Sequence, residues 1–352
     1  MTVFLLLLII LVFYGVKIAP KGKFNEDYMS IEKTKPIKGI FTVLVFFSHI
    51  NQYLILESLI DKPLYWFSLF LGQLVVTLFL FYSGYGIMES IKRKGFKYAD
   101  DVFKKKLPSL LIRFNVVVLM YFVLQHFVFK VEFDSFVFWT SWIGYSGFGN
   151  SNWYMFVTFV LYIFVYVSFS VFKNREDETH YNAALVLTFL TVLLIVALKL
   201  AGKEHWWYDT AILFPLGIWY SIFKDRIEEI IMRNEKTYRM VLLLLFISYI
   251  AVAVFRLNMD ALSFMIWGII FTFLVVTVTM KLSIGNRVLN FCGDHVFSIY
   301  ILQRLPMIVL ANLGLPKSNK YAFFILSALI TVMLAYIFDK VFELIENKAK
   351  KQ

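Results

Sequence analysis

Cysteine, charge and proline are all scarce in this chain. Of its 352 residues, one is cysteine, 7 are proline and 17% are charged. The single cysteine, Cys292, excludes an intramolecular disulfide and a zinc site built from several cysteines. The chain also has no helical His-Glu-x-x-His, no Gly-x-Ser-x-Gly and no phosphate-binding loop. We therefore expect no metal and no permanently bound cofactor.

Apolar residues are abundant instead. They make up 60% of the chain, and aromatic residues alone make up 19%. Apolar runs near the roughly 20 residues that cross a bilayer recur from one end to the other. This pattern predicts an all-α fold, a polytopic transmembrane helical bundle, because helices satisfy their own backbone hydrogen bonds in lipid.

Eleven apolar runs, bounded by charged or turn residues, are candidate spans, so we expect about 10–11 membrane crossings. They are residues 2–16, 39–56, 65–88, 109–129, 153–172, 182–199, 207–222, 240–255, 261–280, 296–313 and 321–338.

The basic residues are distributed unevenly between the connecting segments. If the first span enters from outside, 26 of the 35 Lys and Arg residues fall in cytoplasmic segments and only 7 fall outside. By the positive-inside rule, this predicts an outside N-terminus and an inside C-terminus. The net charge of +11 is then explained without nucleic acid as a partner. We expect a multi-pass protein of the cell membrane, most simply the bacterial cytoplasmic membrane.

The chain divides into three segments. Residues 1–23 form an additional N-terminal span with a basic flank, residues 24–342 form the membrane domain, and residues 343–352 form a short basic cytoplasmic tail. We interpret the first span as an uncleaved anchor, and a cleaved signal peptide is the alternative. The sequence leaves the oligomeric state open.

The second span contains a histidine, His49, eleven residues after Lys38. Eleven residues make about three helical turns, so both side chains share one helix face, separated by roughly 16 Å. If Lys38 marks the cytoplasmic edge, His49 lies near the middle of the bilayer. A histidine there either bonds a neighbouring helix or serves a polar site, and the polar residues Ser48, Asn51 and Gln52 favour the site.

Four motifs in order give the chain a family resemblance. "IKGIFTVLVFFSHINQY" places ten residues between Lys38 and His49; "LFLFYSGYGIMESIKRKG" lies at 78–95, "FKKKLPSLL" at 103–111 and "FCGDHVFSIYILQRLPM" at 291–307. Together they resemble the integral-membrane acyltransferase 3 family, over residues 33–340. Many relatives carry an attached soluble esterase-like domain, which this sequence does not show.

The resemblance implies an acyl-CoA-dependent O-acetyltransferase of the cell envelope. Acetyl would pass from cytoplasmic acetyl-CoA, a co-substrate, to a hydroxyl of a cell-surface or lipid-linked glycan. The family's catalytic histidine corresponds to His49, for which general-base catalysis is a suitable role. The partners implied are acyl-CoA, the acceptor and membrane lipids. The alternative is a transporter or lipid-linked glycan flippase that forms no bond.

Six residues are candidates for binding the acyl-CoA. They are Lys38, Ser83, Tyr85, Lys105, Lys106 and Arg113. Plain positive-inside bias also explains the lysines, snorkelling explains Arg113, and close helix packing explains the small residues Gly84 and Gly86.

Asn51, Gln52 and Trp153 are candidates for binding the acceptor, because amide and aromatic groups suit a sugar. An interfacial aromatic belt is the competing explanation for Trp153. Gln303 and Arg304 stand where many relatives have histidine, and we assign them no role.

Overall fold

The computed structural model describes residues 1–172, 179–255 and 260–349. Its helices are α1 (Thr2–Phe13), α2 (Ile31–Ile50), α3 (Lys62–Leu71), α4 (Leu74–Lys94), α5 (Lys97–Asp101), α6 (Leu107–Phe122), α7 (Ser135–Ser141), α8 (Trp153–Ser170), α9 (Thr179–Leu200), α10 (Leu213–Ile231), α11 (Glu235–Phe255), α12 (Ala261–Thr279), α13 (Arg287–Asp294), α14 (Val296–Leu302), α15 (Arg304–Asn312), α16 (Leu315–Ser318) and α17 (Lys320–Ala349). Two short strands, β1 (Lys17–Ile18) and β2 (Leu282–Ser283), pair antiparallel.

The prediction of an all-α polytopic fold is confirmed. Within the described residues, seven helices are long and apolar enough to cross a membrane. The other four predicted spans correspond to α1, to α2, to α10 and to α14 with α15, which are shorter or include charged turns. The number of crossings and the inside and outside faces stay predictions.

Two predicted boundaries are wrong. The apolar run at 65–88 is not one span, because the chain breaks at Gly72, whose φ of 45° ends α3 before α4 begins. The run at 39–56 is not helical throughout, since α2 ends at Ile50 and a 3-10 turn, Asn51–Tyr53, follows. The second boundary matters because His49 lies in the last turn of α2.

Helices α4 and α10 meet backbone to backbone. A Cβ added at Gly84 would lie 2.0 Å from the carbonyl oxygen of Phe214, and one added at Gly217 would lie 2.0 Å from that of Phe81. Only glycine permits so close an approach. This contact fixes α4, the helix that carries the Ser-Gly-Tyr-Gly motif, in the core of the bundle.

Helix α2 is held against α13 in the same way. A Cβ at Gly39 would lie 2.0 Å from the carbonyl oxygen of Leu289, and one at Gly293 would lie 2.1 Å from that of Lys35. Since Gly39 directly follows Lys38, this contact fixes the predicted cytoplasmic half of the helix that carries His49.

Candidate active site

His49 is buried at the end of α2. The residue is only 8% exposed, and its Nδ1 has no hydrogen-bond partner among the described residues. Lys38, Thr42 and Val45 precede it on α2 at spacings that place all four on one helix face. Lys38 and His49 therefore lie on one continuous helix, as their predicted common face requires. A buried imidazole without a partner is costly unless a substrate or water occupies its nitrogen.

An inner cavity of about 200 Å³ lies beside this face of α2. Thr42 and Val45 line it from α2, Ser83 from α4 and Tyr300 from α14. The rings of His49 and Tyr300 have centroids 6.2 Å apart. The cavity is mostly apolar, with scattered hydroxyl groups. It therefore suits a slender chain of mixed polarity better than a charged ligand.

A basic pocket of about 570 Å³, which we call the basic mouth, adjoins the inner cavity. Lys105, Lys106 and Arg113 line it, together with Glu346. The basic mouth and the inner cavity share the lining residues Leu110, Tyr162 and Phe297. The structure thus brings Lys105, Lys106 and Arg113 together next to the inner cavity, which is also lined by Tyr300, a ring neighbour of His49.

The charges of the basic mouth already have partners in the chain. Arg113 Nη2 lies 2.6 Å from Glu346 Oε1, and the Arg113 guanidinium lies over the Phe342 ring. Lys105 lies 2.7 Å from Asp101 and is well exposed. Arg113 therefore faces a protein anion, and a bound phosphate would have to compete with Glu346 for it.

Lys38 and Tyr85 lie elsewhere. Both line a separate crevice of about 610 Å³ between α2 and α4, which also contains carboxylates such as Glu89. The two neighbouring glycines differ as well: Gly84 packs against α10, whereas Gly86 lines this crevice with open space around it. The structure therefore divides the six predicted acyl-CoA residues between two openings and, for Ser83, the inner cavity.

Arg304, the first residue of α15, reaches the other end of α2. Its Nη1 donates to Ser151 Oγ at 3.1 Å, and its Nη2 donates to Gln52 Oε1. The guanidinium lies 5.9 Å from the ring centroid of Tyr53. Sequence reasoning gave Arg304 no role. The signal that was available is a guanidinium inside an apolar run.

Gln52 therefore adjoins the site, whereas Asn51 and Trp153 have other contacts. The Asn51 Nδ2 donates to Ser68 Oγ of α3 at 2.7 Å. Trp153 begins α8 and stacks edge to face on Tyr154, with centroids 5.9 Å apart. Neither lines the inner cavity. In the described ranges, no group of three His, Cys, Asp or Glu side chains is placed to hold a metal ion.

An outer pocket of about 930 Å³ lies beyond His49 along the chain. Tyr53, four residues after His49, lines it together with Asn312, Lys317 and Lys320. His49 thus lies in sequence between Val45, which lines the inner cavity, and Tyr53, which lines the outer pocket. His49 itself is buried and lines neither opening; residues before and after it in the chain do.

The fold and this site define a polytopic helical membrane protein with a buried histidine beside an inner cavity. A family model described as an acyltransferase domain matches residues 37–340, and the chain belongs to this acyltransferase 3 family. No curated protein and no solved structure matches the chain. The predicted resemblance is confirmed, and the protein is a membrane acyltransferase.

Proposed function

We propose that the chain is an O-acetyltransferase of a bacterial cytoplasmic membrane. It transfers acetyl from cytoplasmic acetyl-CoA to a hydroxyl of a cell-surface or lipid-linked glycan. The observation that carries the proposal is the position of His49, buried between Val45 at the inner cavity and Tyr53 at the outer pocket. We propose that the donor approaches the imidazole from the inner cavity and the acceptor from the outer pocket.

The donor enters at the basic mouth. Lys105 and Lys106 meet the phosphates of CoA as point charges, and Arg113 binds them when it exchanges Glu346 for phosphate. The pantetheine arm then occupies the inner cavity beside Ser83 and Tyr162, whose hydroxyl oxygens lie 3.3 Å apart. This places the thioester towards Tyr300 and His49.

The acceptor hydroxyl arrives from the outer pocket, and Gln52 is the best placed of the three predicted acceptor residues. His49 accepts the hydroxyl proton while the oxygen attacks the thioester carbonyl. The tetrahedral intermediate collapses by breaking the carbon–sulfur bond. The imidazolium returns the proton to the departing thiolate, so that CoA leaves as a thiol and the acceptor as an ester.

Lys38 and Tyr85 have a different place in the proposal. The crevice that they line contains both Lys224 and carboxylates such as Glu89, so it offers phosphate a weaker site than the basic mouth. We propose that this crevice is a second, weaker entry for the donor. Family membership supports acyl transfer over the transporter or flippase alternative, because a transporter has no need to break a thioester.

The test is the variant His49→Gln, purified in full and placed in lipid nanodiscs. Loss of a general base lowers rates about 10²–10⁴-fold, so we expect at least a hundredfold slower release of thiol from acetyl-CoA in the presence of envelope glycan. O-acetyl signals of the glycan, followed by NMR, should fall in parallel. His126→Gln is the matched control: the His126 Nδ1 contacts the Val131 carbonyl, away from the site. Transfer by His49→Gln within a few-fold of wild type would refute the proposal.

A further inference from the structure

We infer that Arg304 selects an acidic acceptor, a glycan that carries a carboxylate or phosphate beside the hydroxyl that is acetylated. This inference rests on the proposed function. It concerns the acceptor side, where Arg304 joins the chain segments around the outer end of α2.

All the contacts of Arg304 are neutral. Its guanidinium donates to the Gln52 amide oxygen and the Ser151 hydroxyl and lies over the Tyr53 ring. No carboxylate of the described residues lies within 4.0 Å of it, and its Nε is buried without a hydrogen-bond partner. The guanidinium therefore retains a whole positive charge and a free donor.

Arg113 is the internal comparison, because it also lies within a predicted span. Its guanidinium is paired with Glu346 at 2.6 Å and approaches Asp339 at 4.0 Å. The chain thus supplies anions for Arg113 and none in the described residues for Arg304. An unpaired charge away from bulk water is costly, and an arriving anion recovers that cost as binding energy.

The outer pocket is lined by basic residues and so has the same positive sign of charge as Arg304. The charged residues among its lining are Lys317 and Lys320, and no acidic residue of the described chain lines it. Lys320 is paired with Asp61, whereas Lys317 is exposed on the short helix α16. The outer pocket therefore carries the exposed cation of Lys317, and its lining residue Tyr53 contacts the Arg304 guanidinium.

A guanidinium donates two parallel hydrogen bonds to a carboxylate or phosphate, and this bidentate geometry fixes the orientation of the ligand. Arg304 donates to Gln52, three residues after His49, so an anion on the guanidinium would bind beside the end of α2 that carries the imidazole. A sugar held by its acidic group would then present a neighbouring hydroxyl to His49. A neutral sugar would leave Arg304 unpaired and would be held less firmly.

The experiment uses the full chain in nanodiscs, acetyl-CoA labelled in the acetyl group, and envelope glycan separated by anion exchange into retained and unretained fractions. We expect the label in the retained fraction. Carboxyl reduction of that fraction tests carboxylate as the anion, and dephosphorylation with hydrofluoric acid tests phosphate. The treatment that removes the recognised group should lower acceptance about tenfold or more.

Three variants complete the test. Arg304→Gln should lower kcat/KM for the retained fraction at least about tenfold, mainly through KM, and Arg304→Lys should restore part of the loss. Lys62→Gln, at an exposed position on the same predicted side, should behave as wild type. Thermal unfolding of all three variants in one detergent separates selection of the acceptor from loss of the fold, because a role in selection lowers kcat/KM while leaving the midpoint near that of wild type.

Label in the unretained fraction would overturn the inference and leave the proposed function standing. So would an Arg304→Gln variant that loses transfer to both fractions equally, because Arg304 would then act on every acceptor alike. Absence of label from both fractions in wild type would contradict the proposed function itself, and the inference with it.

Discussion

The crossing of α4 and α10 allows a sharp test of the packing around Ser83. In Gly84→Ala, the new Cβ would lie 2.0 Å from the Phe214 carbonyl oxygen, a backbone atom that cannot rotate away. An ordinary contact between these atom types is well over 3 Å, so the two helices must separate by about 1 Å. That separation also loosens the Gly217 contact one turn along the same crossing.

The magnitude follows from two opposing terms. Overpacking of this kind costs typically about 1–3 kcal/mol of unfolding free energy. Alanine recovers at most about 1 kcal/mol over glycine in a helix interior. Because the obstacle is backbone, we expect the cost to dominate, with a net loss of about 1–2 kcal/mol in Gly84→Ala. The shift of α4 moves Ser83 at the inner cavity, so acetyl transfer should fall as well.

Gly86→Ala is the matched control on the same helix. Its added Cβ meets nothing within 4 Å, so the variant should be as stable as wild type or slightly more stable. Thermal unfolding of both purified variants in one detergent measures the difference. If Gly84→Ala unfolds at the same temperature as Gly86→Ala, the crossing is not as tight as the geometry states and the reasoning is refuted.

Three further predictions follow from other contacts. Asp61→Asn should lower the unfolding free energy by about 3 kcal/mol, because it breaks a buried ion pair with Lys320; thermal unfolding in detergent measures it, and an unchanged midpoint would contradict it. The hydrogen bond to Asp209 raises the pKa of His205 above its ordinary 6.5. Protonated His205 therefore stabilises the folded state below pH 6.5, and this stabilisation is lost as the pH rises through the folded-state pKa. The midpoint difference between wild type and His205→Gln should therefore be larger at about pH 5.5 than at about pH 8.5. Ser83→Phe should fill the inner cavity and slow acetyl transfer about tenfold or more with the unfolding temperature unchanged; wild-type rates would exclude the cavity as the donor path.

Local spacing predicted that Lys38 and His49 lie on one helix, while the roles of both residues stay predictions. Lys38 and His49 share α2 because eleven residues make three turns, and this relation depends on the sequence alone. The four motifs identified the family, and the family match covers residues 37–340. These features were accessible because each is contained in one short stretch of chain.

Helix ends were harder to predict. Hydropathy does not separate α3 from α4, because both flanks of Gly72 are apolar and only the positive φ of Gly72 breaks the helix. Hydropathy also hides the end of α2 at Ile50, because the apolar residues Leu54 and Ile55 follow soon after it. Partners across the bundle, such as Glu346 for Arg113, lie more than two hundred residues apart and leave no local pattern.

Arg304 shows why the acceptor side stayed out of reach of sequence reasoning. Three chain breaks meet there: α2 ends before Gln52, α8 has not yet begun at Ser151, and α14 gives way to α15 at Arg304. Broken helices leave unpaired backbone groups, and inside a membrane protein these are tolerated only where protein or a water-filled cavity covers them. The Arg304 guanidinium donates across this junction to two side chains, Gln52 and Ser151, and its Nε is left without a partner among the described residues. Arg304, which we propose binds the acceptor, thus joins segments that are far apart in the chain, and no single segment of the sequence shows that junction.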